Sequence, residues 1–167
     1  GVVFKIQANM DPAHRDRIAF VRVASGKFER GMRLMQGGTG KAIAISRPML
    51  FLAQDREMAE EAFPGDIIGL VNPGEFLLGD TICEGTPVVY EPLPQFSPEF
   101  FAMLVCPDTN RRKQFERGLS QLLEEGAIQV FQTANSSVRQ TVLAAVGELQ
   151  FDVVRFRLQS EYDTETE

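Results

Sequence analysis

The arrangement closest to a chemical site in this chain is Gly37-Gly38-Thr39-Gly40-Lys41. A phosphate loop needs glycine, four residues and then Gly-Lys-Ser/Thr, so that backbone N–H groups and an ammonium cradle a polyphosphate. Here Met35 stands where the first glycine belongs, and Ala42 replaces the hydroxyl that would bind magnesium. The stretch reads as a hairpin turn, not as a nucleotide site. The carboxylate pairs Glu60-Glu61 and Glu124-Glu125 sit at the ends of expected elements and read as solvated faces. His14 is the one histidine, which leaves a triad a single candidate base and a zinc site a single imidazole. Cys83 and Cys106 lie far apart with no metal-type spacing, as expected of two reduced thiols. No serine or cysteine stands in a nucleophile elbow. No catalytic residue, cofactor site or metal site is therefore expected within the chain.

Cations are the residues that remain. Arg17, Arg22, Lys27 and Arg30 decorate one short stretch, RIAFVRVASGKFERGMRL, over residues 17–34. Arg111, Arg112 and Lys113 fall in the first turns of an expected helix, where positive charge opposes the macrodipole at roughly a few tenths of a kcal/mol. Such groups either bend into water or meet phosphate. The formal net charge of −6 argues against nucleic-acid binding by the bulk field, so any RNA contact would have to be local.

These cations must be positioned by elements that the pattern reveals. In 17–34, Ile18 and Phe20 alternate with Ala19, Val21 and Val23, the period of a strand with one packed face. Ser25-Gly26-Lys27 supplies a turn, Arg30-Gly31 a second bend, and Met32 and Leu34 open another strand, so the stretch reads as a charged hairpin. Before it, residues 2–8 alternate Phe4, Ile6 and Ala8 against Val3, Lys5 and Gln7, and residues 9–16 form a polar loop. After it, 41–52 reads as one strand bent at Pro48, and 54–61 as a loop or one helical turn. Turns at 64–66 and 72–74 bracket the strand IIGLV, and TICE follows. Short strands at this spacing suggest a barrel or a sandwich of six or seven strands.

Pro92, Pro94 and Pro98 make 91–98 a stiff connector, and the pattern changes beyond it. Residues 100–106 read as a strand. Asp108 caps a helix running to Glu125, and Gly126 stops it. Phe115, Leu119, Leu122 and Leu123 form its buried stripe. Strands at 127–131 and 140–146 and a helix at 148–162 follow. This order is that of a split βαβ, ferredoxin-like α/β domain whose last strand is cut short or missing. The expected domains are 1–90 and 99–167. On the second helix, Phe151, Val154, Leu158 and Tyr162 share one side, whereas Leu149, Val153 and Phe156 share nearly the opposite one. A helix on one sheet needs one apolar stripe. The second is expected to tuck under a loop or the barrel, or to face another part of a longer protein or a partner. Composition is that of an ordinary globular protein, with 44% hydrophobic and 24% charged residues, and no apolar run nears the roughly 18 residues of a membrane span. The chain opens on Gly1 in a strand pattern without a signal peptide, and reads as a piece of a longer protein.

FKIQANMDPAHRDRIAFVRVASGKFERGMRL (4–34) resembles the second domain of translational GTPases. Three further segments agree in order: 60–85, EEGAIQVFQ at 124–132, and VGELQFDVVRFRLQSEY at 146–162. The last is similar to the helix-opening Gly-Glu-Leu-His segment of elongation factor G, with Gln150 in the histidine place. That replacement, the QANMDP loop and the EEGAIQVF strand make the chain more similar to the bacterial peptide chain release factor 3 family. The resemblance implies a mainly β plus α+β fold, a translational-GTPase β-barrel followed by a ferredoxin-like domain. It implies a cytoplasmic parent that binds GTP and Mg in a domain preceding this one and acts in translation termination. Its partners would be the ribosome's small subunit, the class I release factors it helps to leave, and its own GTP-binding domain, with no membrane. The seven cations become candidate ribosome-facing residues. Two rivals stand beside this reading: another translational GTPase such as elongation factor G, and an enzyme with a ferredoxin-like regulatory domain holding a small ligand near Gly118 or Gly126.

Overall fold

The computed structural model describes residues 1–7, 17–45, 48–52, 55–72, 76–132 and 140–167. The expected loop at 9–16, with His14, and most of the turn at 72–74 lie outside the described residues. The chain forms two compact units, Gly1–Pro94 and Gln95–Glu167, divided inside the proline-rich stretch.

Unit 1 is a β-barrel. Its strands are β1 (Val2–Gln7), β2 (Arg17–Arg22), β3 (Phe28–Glu29), β4 (Arg33–Gln36), β5 (Ala42–Ala44), β6 (Met49–Leu52), β7 (Asp55–Met58), β8 (Glu61–Ala62), β9 (Ile67–Asn72) and β10 (Ile82–Cys83). They pair in the orders β1-β2-β9-β6-β7, β10-β4-β5 and β3-β8, and a bridge from Val2 to Thr81 joins the first sheet to the β10 end of the second. Several of these strands are only two or three residues long, so the barrel has more strands than the six or seven expected. Val3, Ile6, Ala19, Val21, Ile68 and Leu70 point inward into one cluster with Phe28, Leu34 and Ile82. Each large apolar side chain buried there contributes about 1.5–3 kcal/mol relative to leaving it in water.

Three expectations change. First, 17–34 is not a hairpin. β2 pairs with β1 and β9, whereas β3 pairs with β8, and β4 with β5 and β10. Positive φ at Gly26 (74°) and Gly31 (85°) turns the chain twice and sends it to new partners. β2 is also buried on both faces, with Ile18 and Phe20 at 4% and 9% exposure. Second, 41–52 is two strands separated at Pro48, and 55–58 is a strand rather than a loop. β7 pairs with β6 from Met49–Met58 to Leu52–Asp55, a tertiary pairing that overrides the weak strand propensity of its charged residues. Third, β1 does not alternate strictly. A bulge between Val3 and Lys5 leaves Phe4 without a partner, so Val3 and Ile6 both face inward and Lys5 lies opposite Phe20. The GGTGK stretch is a hairpin turn between β4 and β5, closed by Gly40 N–H on the Gln36 carbonyl at 2.7 Å.

Unit 2 carries β11 (Phe100–Leu104), a single 3₁₀ turn (Thr109–Arg111), α1 (Arg112–Glu124), β12 (Gln129–Gln132), β13 (Thr141–Ala145) and α2 (Leu149–Tyr162). The antiparallel sheet runs β11-β13-β12, the ferredoxin-like order. The Asp108 carboxylate accepts from Asn110 N–H at 2.8 Å and starts the turn that opens α1. Gly126, at φ 72°, ends the helix. Phe115, Leu119 and Leu122 pack with Val154, Leu158 and Tyr162. The expected fourth member of the α1 stripe, Leu123, is 45% exposed; Gly118 and Gln121 lie against the core instead. Val105 and Glu167 exchange two backbone hydrogen bonds (2.8 and 3.0 Å), which lays the last residue along the open edge of β11.

Candidate nucleic-acid interface

The seven candidate cations divide by their neighbours. Lys27 lies between Glu29 (2.9 Å) and Glu61 (2.8 Å), with its ammonium 5.7 Å from the Phe63 ring centre. Hydrogen bonds to Glu61 and then Glu29 hold that ammonium above the usual lysine range. Arg30 meets Glu60 at 2.7 Å. Both contacts follow from the β3–β8 pairing, which sets Glu29 opposite Glu61. In unit 2, Arg111 meets Asp163 at 2.6 Å, and Arg112 meets Glu116 one turn along α1 at 2.9 Å. The charge opposing the α1 macrodipole is thus offset by carboxylates of the same unit. Arg17 starts β2 in a half-buried position.

Arg22 and Lys113 are different. Both are exposed, and neither forms an ion pair among the described residues. Arg22 ends β2 on the outer barrel wall, opposite Val2 and Ile67. The next outward row along the wall is Lys5, Phe20 and Gly69. Lys5, which the sequence reading passed over, holds its ammonium 5.4 Å from the Phe20 ring centre, a cation–π distance. The bulge residue Phe4 sits beside them, 39% exposed, its ring 6.5 Å from that of Phe20.

Two apolar surfaces mark unit 2. On α2, Leu149, Val153 and Phe156 are 77%, 52% and 69% exposed, opposite the side that buries Val154 and Leu158. The outer face of the sheet, unmarked in the sequence reading, exposes Phe101, Met103 and Phe131, with the two phenyl rings 6.4 Å apart. Gly118 offers no ligand space, because a Cβ there would meet Leu158 Cδ2 at 2.7 Å. Among the described residues, no group of three His, Cys, Asp or Glu side chains could hold a metal. No helix among them is long and apolar enough to cross a membrane.

Gln150, the glutamine in the histidine place, staples the start of α2. Its carbonyl oxygen accepts from Val146 N–H (2.8 Å) and Gly147 N–H (3.0 Å), and its amide donates to the Ala127 carbonyl at 2.9 Å. The β13–α2 turn and the α1–β12 turn are therefore tied by one side chain.

Comparison with known proteins gives two adjoining matches. Residues 1–85, half of the chain, fit the family model "Elongation factor G domain 2", and residues 90–167 fit "Class II release factor RF3, C-terminal domain". A relative called peptide chain release factor 3 in Acaryochloris marina is 57% identical over 99% of this chain. The same-named protein of Gloeobacter violaceus is 55% identical over the same share. The chain belongs to the peptide chain release factor 3 family. It spans about a third of the length of these relatives, 31% of each. A solved structure from Thermus thermophilus superposes with a TM-score of 0.83 over 99% of this chain and 24% of its own length. At 22% identity that likeness speaks for the fold alone, the barrel followed by an α/β domain.

Proposed function

We propose that this chain is the ribosome-docking part of a translation-termination GTPase, one that promotes departure of class I release factors after the peptide has been released. The observation that supports this most is the order of the two family matches. A barrel of the elongation factor type is followed directly by a domain matched to the class II release factor. The second match favours a termination factor over elongation factor G, whose model fits the barrel region alone.

On this reading 1–90 is the docking barrel, 91–98 a stiff connector and 99–167 a third domain that continues beyond Glu167. GTP and Mg belong to a preceding domain of a cytoplasmic parent, and this fragment neither binds nor hydrolyses the nucleotide. Arg17, Arg22, Lys27, Arg30, Arg111, Arg112 and Lys113 are the candidates for facing small-subunit RNA. Local charge balance favours Arg22 and Lys113, whose positive charge no carboxylate of the described residues offsets. Leu149, Val153 and Phe156 would meet the parent's GTP-binding domain or a class I factor. An apolar stripe that exposed is the kind of surface another protein element covers.

Co-sedimentation with ribosomes tests the docking role. The parent and this fragment should both pellet with small subunits, the fragment more weakly, and calorimetry should detect no GTP binding to the fragment. Nucleotide binding by the fragment, or a parent that ignores ribosomes, would overturn the proposal.

A further inference from the structure

The outer wall formed by β1 and β2 holds the one pair of neighbouring cations on the described barrel that faces solvent without a carboxylate. Lys5 and Arg22 project from adjacent outward rows of the wall. Two residues along a strand separate such rows by about 6.6–6.8 Å. Phe20 lies between them but is itself buried at 9% exposure, so the aromatic surface open beside the cationic tips is that of Phe4, 39% exposed on the bulge. Ile67, 42% exposed, borders Arg22, and Gly69 leaves the end of the Phe20 row without a side chain.

A protein partner with an acidic face would satisfy the two charges. It would find better-placed cations at Lys27 and Arg30 only by displacing Glu29, Glu60 and Glu61, and those carboxylates would repel it. A polyanion whose charges repeat along a chain and whose bases offer flat faces matches this wall on both counts. We infer that Lys5 and Arg22 bind the phosphodiester backbone of a single RNA strand, with Phe4 as a stacking surface for an unpaired base. This rests on the ribosome-docking role proposed above and relocates its RNA contact. The contact would lie on the β1–β2 wall, not at the Lys27/Arg30 end of the barrel, where three glutamates already offset the charge.

The test uses the full-length parent and measures ribosome binding across a salt series. Lys5→Gln with Arg22→Gln should weaken binding about ten-fold near ~0.1 M salt and lower the slope of log affinity against log salt by about 1.5, as losing two phosphate contacts would. Phe4→Ala should weaken binding several-fold with the slope unchanged, because stacking releases no counterions. Lys27→Gln with Arg30→Gln should lower the slope by less than Lys5→Gln with Arg22→Gln does, because Glu29, Glu60 and Glu61 already offset those two charges. If Lys5→Gln/Arg22→Gln binds like the unmodified protein while that protein binds ribosomes well, the wall is not the contact, although docking stands. If Lys27→Gln/Arg30→Gln shows the larger slope change, the contact lies at the other end and this inference fails. If the unmodified parent does not bind ribosomes, the docking reading itself fails. The substituted positions lie on an exposed strand surface, and an unchanged circular dichroism melt checks that the variants remain folded.

Discussion

Replacing Gln150 by alanine should loosen unit 2 at the start of α2. The side chain makes three hydrogen bonds to backbone groups: two accepted, from Val146 and Gly147, and one donated, to Ala127. Gly147 and Ala127 are half-buried, whereas Val146 is 46% exposed and its N–H can turn to water. Two partly buried bonds at about 1 kcal/mol each, with less for the third, put the loss near 2–3 kcal/mol. Urea denaturation followed by NMR signals of Val154 and Tyr162, both in unit 2, would measure it without mixing in the barrel. Leucine at 150 keeps most of the volume and should lose nearly as much, which separates hydrogen bonding from packing. Histidine offers one acceptor and one donor when neutral, so Gln150→His should recover about half of the loss. Protonation would remove its acceptor, so this fold favours the neutral imidazole and holds its pKa below the free value of about 6.5. The recovered stability is therefore present above that value and lost as pH falls through the lowered folded pKa. An alanine variant within about 0.5 kcal/mol of the parent sequence, or a histidine variant stabilised by acid, would refute the argument.

Gly118→Ala should destabilise unit 2 by about 1–3 kcal/mol, since the added methyl meets Leu158 Cδ2 at 2.7 Å and the Tyr162 ring at 2.9 Å. The shift in urea midpoint reports it, and Gly147→Ala, in the same unit with open space around its Cβ, is the matched control. The Arg157 and Glu125 pair should show an asymmetry in the same assay. Arg157 donates to both Glu125 oxygens and to Glu161, and its side chain is 19% exposed against 7% for Glu125. Glu125 lies at the negative end of the α1 macrodipole, so Arg157→Met removes the cation that offsets that end and should cost about 2–3 kcal/mol. Glu125→Gln leaves Arg157 with Glu161 and should cost about 1 kcal/mol; equal losses would contradict the argument.

The ferredoxin-like half was readable because its signals are local. Asp108 caps the 3₁₀ turn that leads into α1 rather than α1 itself, Gly126 ends the helix, and the apolar stripe of α2 repeats at helical spacing, so the strand and helix order followed directly. The barrel half was readable only where strands are long. No periodicity can mark Phe28–Glu29 or Glu61–Ala62, two-residue strands that exist because they pair with each other. Asp55–Met58 looked like a loop because its charges suit solvent, and only its register with Met49–Leu52 makes it a strand. Leu123 kept the helical spacing but sits where the core has ended, since spacing reports direction and not reach.

The candidate interface shows the same division between what is local and what is not. The identities of the cations could be read directly, but the charges that cancel them could not. Lys27 and Glu61 are 34 positions apart in sequence, and their contact depends on the β3–β8 register. The decisive case is Lys5. Strict alternation from inward-facing Val3 would send Lys5 into the barrel, where an unpaired ammonium would cost several kcal/mol. One extra residue, Phe4, resets the phase. Ile6 then returns to the core, Lys5 joins Arg22 on the outer wall, and Phe4 itself is left beside them. The bulge that keeps the core apolar is thus also what assembles the cationic wall, and removing it would undo both together.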